Sequence, residues 1–169
     1  MFTDIKKDDF GIECKANLDI FETDCKVIID IDLDIEYAEK CIEMINNLPD
    51  KTVDNICRGL RIYCLTRVSQ NKDLLSKLDF DITSKTNLRE ILKSVKPLNI
   101  FLDAPEDEGL ALKLEFECVW ENGEAEMLFR DNDILYIGLP TELSPWDEYE
   151  LFDEDENNFI NKLYFIILS

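Results

Sequence analysis

The stretch Asp30-Ile31-Asp32-Leu33-Asp34-Ile35-Glu36 sets three aspartates at alternate positions, which is how a calcium-binding loop begins. An EF-hand loop takes oxygen ligands at positions 1, 3 and 5, turns on a glycine at 6 and closes with a bidentate glutamate at 12. Counted from Asp30, the turn position holds Ile35 and the closing position holds Cys41. The sharp turn and the last hard ligand are both missing. The same residues also alternate in polarity, with Val27, Ile29, Ile31 and Leu33 on one side and Ile28, Asp30, Asp32 and Asp34 on the other. Period two is the mark of a half-buried strand, so the stretch reads as a strand with a wet face.

The rest of the chemical kit is thin. The chain has no histidine, which excludes Ser-His and Cys-His nucleophile pairs, histidine general bases and histidine metal sites. Its five glycines, at 11, 59, 109, 123 and 138, assemble neither a phosphate-binding loop nor a dinucleotide fingerprint. Six cysteines (Cys14, Cys25, Cys41, Cys57, Cys64 and Cys118) include no C-x-x-C pair, which argues against zinc. Placed on apolar faces they read as reduced thiols acting as small hydrophobes. No metal and no cofactor is expected. Among 38 acidic residues a carboxylate pair can be drawn anywhere, so a carboxylate-based or metal-dependent hydrolase stays only a formal alternative, and the expectation is a protein that is not an enzyme.

These residues need elements to position them. Upstream of the aspartates, Ile12, Cys14, Ala16, Leu18 and Ile20 alternate again, and the polar link 21–24 predicts a hairpin. Pairing Ile20 with Cys25 and Leu18 with Val27 keeps both apolar sets on one face, and sets Asp19 opposite Lys26 and Lys15 opposite Asp30. From Ile35 the apolar residues Ala38, Cys41, Ile42, Ile45 and Leu48 fall on a helical stripe, with Asp34 in the N-cap position. Pro49-Asp50 ends that helix. A second runs from near Thr52 to Ser69-Gln70-Asn71, and a third from about Thr86 through Leu88, Ile91, Leu92 and Val95 to Pro97. Strands follow at 98–104, 111–120, 125–130 and 134–139, with a turn at Asn122-Gly123 and another at 131–133. The fold class is α+β: an antiparallel sheet, made of an N-terminal hairpin and a C-terminal meander, with about three helices packed on one face.

With 169 residues and 46% hydrophobic content one core suffices, so a single domain over 1–169 is expected. No apolar run is long enough to span a bilayer, and the N-terminus lacks the apolar stretch of a signal peptide. The expected location is cytoplasmic.

Charge is the most informative property. The net charge is −20. Residues 1–100 hold 19 acids and 15 bases, whereas residues 101–169 hold 19 acids and only Lys113, Arg130 and Lys162. Densest is 142–158, an acidic segment carrying Trp146, Tyr149 and Phe152, with Phe159 just beyond. A solvated face does not call for aromatic residues among its acids. Such rings either tuck into a core or anchor a partner. A field of this sign repels nucleic acid and anionic membranes and speeds association with a basic protein. Neither direct nucleic-acid binding nor membrane contact is expected.

The meander Phe116-Glu117-Cys118-Val119-Trp120-Glu121-Asn122-Gly123 through Phe129-Arg130-Asp131 to Gly138, with Trp146 beyond, resembles a motif of small acidic bacterial proteins of unassigned function, several of which occur beside polymorphic or contact-dependent toxins as immunity proteins. The resemblance implies a cytosolic immunity protein that binds and occludes a cognate toxin through an acidic surface. A basic toxin, and among basic toxins a nuclease, is the natural target, because acids can mimic the phosphate backbone such an enzyme reads. The residues expected to bind the partner are Trp146, Asp147, Glu148, Tyr149, Glu150, Asp153 and Glu154, with Asp30 and Asp32 as outliers. A second reading with the same charge is a nucleic-acid mimic that inhibits a host or phage-defence enzyme.

Overall fold

The computed structural model describes residues 2–82 and 87–162. Seven strands form one open sheet whose spatial order follows the chain: β1 (Thr3–Asp8), β2 (Gly11–Leu18), β3 (Thr23–Asp30), β4 (Val95–Leu102), β5 (Ala111–Cys118), β6 (Ala125–Arg130) and β7 (Asp133–Gly138). All neighbours are antiparallel except β3 and β4. The class is α+β as expected, but the sheet is mostly rather than wholly antiparallel. A parallel pair needs a long crossover, and the crossover here is the helical block: α1 (Ile35–Asn46), α2 (Asp50–Gln70) and the 3₁₀ turns Lys72–Lys77 and Leu88–Ser94.

The first helix forms where its stripe predicts. Asp34 accepts the Glu36 N–H as N-cap, and Ala38, Cys41, Ile42 and Ile45 are buried against the sheet. The second helix lies so close to β7 that a Cβ on Gly59 would come within 3.0 Å of the Ile137 and Ile160 side chains. Glycine weakens a helix interior, and here it lets the helix pack close, since any larger residue would push those two isoleucine methyls aside. On the inner face of the sheet, Val27, Ile29, Ile100, Leu114, Phe116, Met127, Phe129 and Ile137 meet these helices in the main core. All six cysteines are buried and unpaired, and burial pushes the thiols up, Cys25 to about 12. They pack as hydrophobes. Tyr63 of α2 stacks on Phe159 at 4.3 Å between ring centroids and donates its hydroxyl to Glu121 at 2.7 Å. Glu121 also accepts from Arg67 Nε at 2.7 Å. Burial raises the Glu121 carboxyl, but the Tyr63 hydroxyl, the Asn122 N–H and Arg67 outweigh it and hold it below its ordinary value. No helix among the described residues is long and apolar enough to cross a membrane.

Four expectations are corrected. The β2–β3 hairpin closes earlier than its apolar pattern suggests: Asp19–Phe21 winds into a 3₁₀ turn, Glu22 takes φ +52, and Asn46 accepts the Asp19 N–H at 2.9 Å. The ladder therefore pairs Ala16 with Cys25, Cys14 with Val27 and Gly11 with Asp30. The shift is even, so both apolar sets stay on the core face, but Lys15 now faces Lys26 rather than Asp30. Each lysine finds its counter-ion elsewhere, Lys15 on Asp4 and Lys26 on Glu13, both at 2.8 Å. The expected third helix is a 3₁₀ turn followed directly by β4; its proposed start at Thr86 lies outside the described residues. Val95 and Pro97 stand in the sheet opposite Cys118 and Phe116. Pro97 is tolerated inside a strand because the register shifts between it and Asn99. The expected strand end past Asp30 is instead a turn, since Asp30 accepts the Asp32 N–H. Finally, the helices do not share one face. A short α3 (Tyr149–Glu154) covers the outer face, where Phe152 packs with Leu128, Leu135 and Tyr136.

Candidate functional site

The pairing pattern decides which chain ends meet. Because β3 and β4 are parallel and every other pair is antiparallel, the ends of β1, β3, β4 and β6 and the starts of β2, β5 and β7 lie at one end of the sheet. The turns there are all acidic. The β1–β2 turn carries Asp8 and Asp9; the exit from β3 carries Asp30, Asp32 and Asp34; the β4–β5 loop carries Asp103, Glu106, Asp107 and Glu108; and the β6–β7 turn carries Asp131 and Asp133. No lysine or arginine stands in these turns, and none of the eleven carboxylates forms an ion pair among the described residues.

Five of them have local work. Asp8 accepts the N–H groups of Phe10 and Gly11, Asp30 that of Asp32, Asp34 that of Glu36, Asp107 that of Glu108 and Asp131 that of Leu110. Short acidic side chains favour such turn positions. The other six, Asp9, Asp32, Asp103, Glu106, Glu108 and Asp133, are exposed, and neither a turn hydrogen bond nor an ion pair accounts for them. Like charges crowded at one end repel, so the arrangement costs stability. Among the described residues, no group of three or more metal-ligating side chains is placed to hold an ion.

The expected binding residues divide into three sets. Asp30 and Asp32 lie at this acidic end. Tyr149 is brought to it by Arg130, the last residue of β6, whose guanidinium lies 4.3 Å over the Tyr149 ring and donates to the Asp147 carbonyl at 3.2 Å. Tyr149 is 55% exposed, and Glu148, Glu150, Asp153 and Glu154 are exposed around it. At the level of Arg130, Asp30 and Asp32 are separated from this group by β4 and β5, about 14 Å for three strand spacings, so the two sets form parts of one edge rather than one cluster. The third set turns inward: the Asp147 carboxylate accepts the Ser144 N–H at 2.8 Å, and Trp146 is half-buried. Phe152 and Phe159 are buried, so these aromatics serve the core.

Two buried polar residues outside the acidic turns carry no clear signal in the sequence. Asn158 is fully buried and fastens the C-terminal segment to the edge of β7. Its only signal in the sequence is an uncharged residue at the end of an acidic run. Glu126, 2% exposed on the outer face of β6, accepts the Thr141 N–H at 2.7 Å. Burial raises its pKa, against the pull of that N–H and of Lys113, and Glu115 and Asp155 push the same way as burial. A raised folded-state value means the folded chain binds this proton more readily than the unfolded chain, so ionisation costs stability as pH rises. Glu126→Gln keeps the acceptor and removes the charge. It is expected to raise the urea midpoint at pH 7, with the gain vanishing as pH falls through the ordinary glutamate range near ~4.3. A gain that persists at low pH, or a loss at neutral pH, would contradict this.

Residues 1–142 match the family described as a domain of unknown function, DUF6985. The chain belongs to that family. The DUF6985 match takes in all seven strands, both long helices and each of the four acidic turns, while Trp146 and α3 lie past its end. No curated protein and no solved structure matches the chain.

Proposed function

We propose that this DUF6985 protein is a cytoplasmic inhibitor of the immunity type, which captures a basic protein toxin on the acidic end of its sheet and covers the toxin's active face. The observation that carries the reading is the set of six exposed turn carboxylates, gathered from three separate turns and the β3 exit, that the fold itself does not use. A surface that costs stability and serves no internal contact is maintained for something outside the molecule. Toxins that act on nucleic acid present a basic cleft, and a row of carboxylates can stand in for phosphates there. The turn acids steer and orient. Tyr149, with Glu148, Glu150, Asp153 and Glu154 around it, extends the contact along α3, and half-buried Trp146 adds an aromatic ring just before it in the chain. Asp147, held by Ser144, shapes that segment rather than meeting the partner.

Made together with a toxin encoded beside its own gene, the protein is expected to restore growth and to co-purify in a one-to-one complex that loosens as ionic strength rises. A toxin that stays lethal at matched expression, or a complex indifferent to salt, would overturn the proposal.

A further inference from the structure

We infer that Phe10 is the aromatic anchor of this acidic end and that it enters an apolar socket on the basic partner. The inference rests on the docking role proposed above and adds the residue that would hold the complex together. Phe10 is 90% exposed, more than any other large hydrophobic residue among those described. Nothing in its turn asks for a ring. Asp8 fixes the backbone by accepting the N–H groups of Phe10 and Gly11 at 2.8 and 3.2 Å. Gly11, at φ +150, lets β2 pass so close to β3 that a Cβ there would strike the Ile29 carbonyl. The tip is therefore pinned by its neighbours, and its side chain is left over.

Gly11 stands opposite Asp30, so Phe10 and Ile31 sit one step further along adjoining chain ends. Ile31 is itself 47% exposed. Asp8, Asp9, Asp30 and Asp32 surround the pair in sequence and register, and none is ion-paired among the described residues. A buried aromatic anchor inside a polar rim is how protein interfaces concentrate their affinity. A tip already held in place loses little freedom on binding. The carboxylate collar selects the occupant: a second copy of a chain with net charge −20, an anionic membrane or a nucleic acid is repelled, and a lysine- or arginine-rimmed protein socket is attracted.

Two labelled synthetic peptides test this by fluorescence anisotropy at low salt, one alternating lysine with leucine and the other alternating lysine with serine. The wild-type protein is expected to bind the leucine peptide about tenfold tighter. Phe10→Ala should abolish that preference while leaving the serine peptide's affinity and the urea midpoint unchanged, and Phe10→Trp should keep the preference. If Phe10→Ala retains the preference, or the wild-type protein shows none, the anchor is overturned while the acidic docking role stands. If Asp9→Asn/Asp32→Asn leaves both affinities and their salt dependence untouched, the docking role fails and the anchor with it. A Phe10-dependent dimer in sedimentation would assign the ring to a second copy and overturn the inference as well.

Discussion

Replacing Asn158 with alanine is expected to remove about 3–4 kcal/mol of stability, on the scale of 1–3 kcal/mol for each buried group left unsatisfied. Its Nδ2 donates to the carbonyls of Leu135 and Phe152 at 2.8 and 3.1 Å, and its Oδ1 accepts from the backbone N–H groups of Ile137 and Ile160 at 3.3 and 3.0 Å. With the Phe159 N–H donating to the Ile137 carbonyl at 2.8 Å, this amide takes the place of a further strand along β7. An open edge exposes unpaired backbone groups, and here one side chain closes it. The change should lower the urea midpoint without altering the slope. Asn158→Asp should be as damaging, because an ionised carboxylate has no donor for the Leu135 and Phe152 carbonyls. Asn157→Ala, at an exposed neighbour, should cost less than about 0.5 kcal/mol. A loss below 1 kcal/mol for Asn158→Ala would show that the C-terminal segment is held by Phe152 and Phe159 alone.

Neutralising five turn acids, with Asp9→Asn, Asp32→Asn, Asp103→Asn, Glu106→Gln and Glu108→Gln in one chain, should separate folding from binding. None of these side chains serves a turn hydrogen bond or an ion pair among the described residues. Like charges about 7 Å apart repel by roughly 0.6 kcal/mol in water, and salt reduces this. Relief of that repulsion should leave the melting temperature unchanged or raise it by a few degrees, at roughly 2–4 °C per kcal/mol for a chain of this size. Binding to a basic partner should instead weaken about 100-fold at low salt, the product of several rim contacts each worth up to ~1 kcal/mol and a slower encounter. If the acids were only a solubility coat, stability would change in the same way and binding would not.

Local physics made much of the fold legible. The α1 stripe and its Asp34 cap, the turn at Asn122-Gly123 and the β5–β6–β7 meander all follow from patterns within about a dozen residues. Failures arose where distant residues decide. The hairpin register turned on Asn46 holding the Asp19 N–H from another element. The helical spacing of Leu88, Ile91, Leu92 and Val95 gave way to the ladder with β5, because Val95 and Pro97 gain a buried place beside Cys118 and Phe116. Strand β1 has every residue exposed, so no alternation announced it. The acidic residues show the same division. The acids of 142–158 are conspicuous because eight fall within one short stretch with no base among them. Those of the sheet end come in twos, threes and fours from turns spread over residues 8–133, and the strand pairing, with β3 and β4 parallel, gathers them. Asp30 and Asp32, outliers in the sequence, lie at that acidic end. Phe10 went unnoticed because a lone aromatic beside a glycine carries no pattern.

The central proposal is that the acidic sheet end is a docking surface for a cationic protein. Its most direct test is the association rate of the protein with its co-purified partner, measured by stopped flow from low to high ionic strength for wild type and the five-amide chain. Wild type should associate fast and slow steeply with salt, while the five-amide chain starts slower and changes little. Equal rates with the same salt response in both chains would contradict the account.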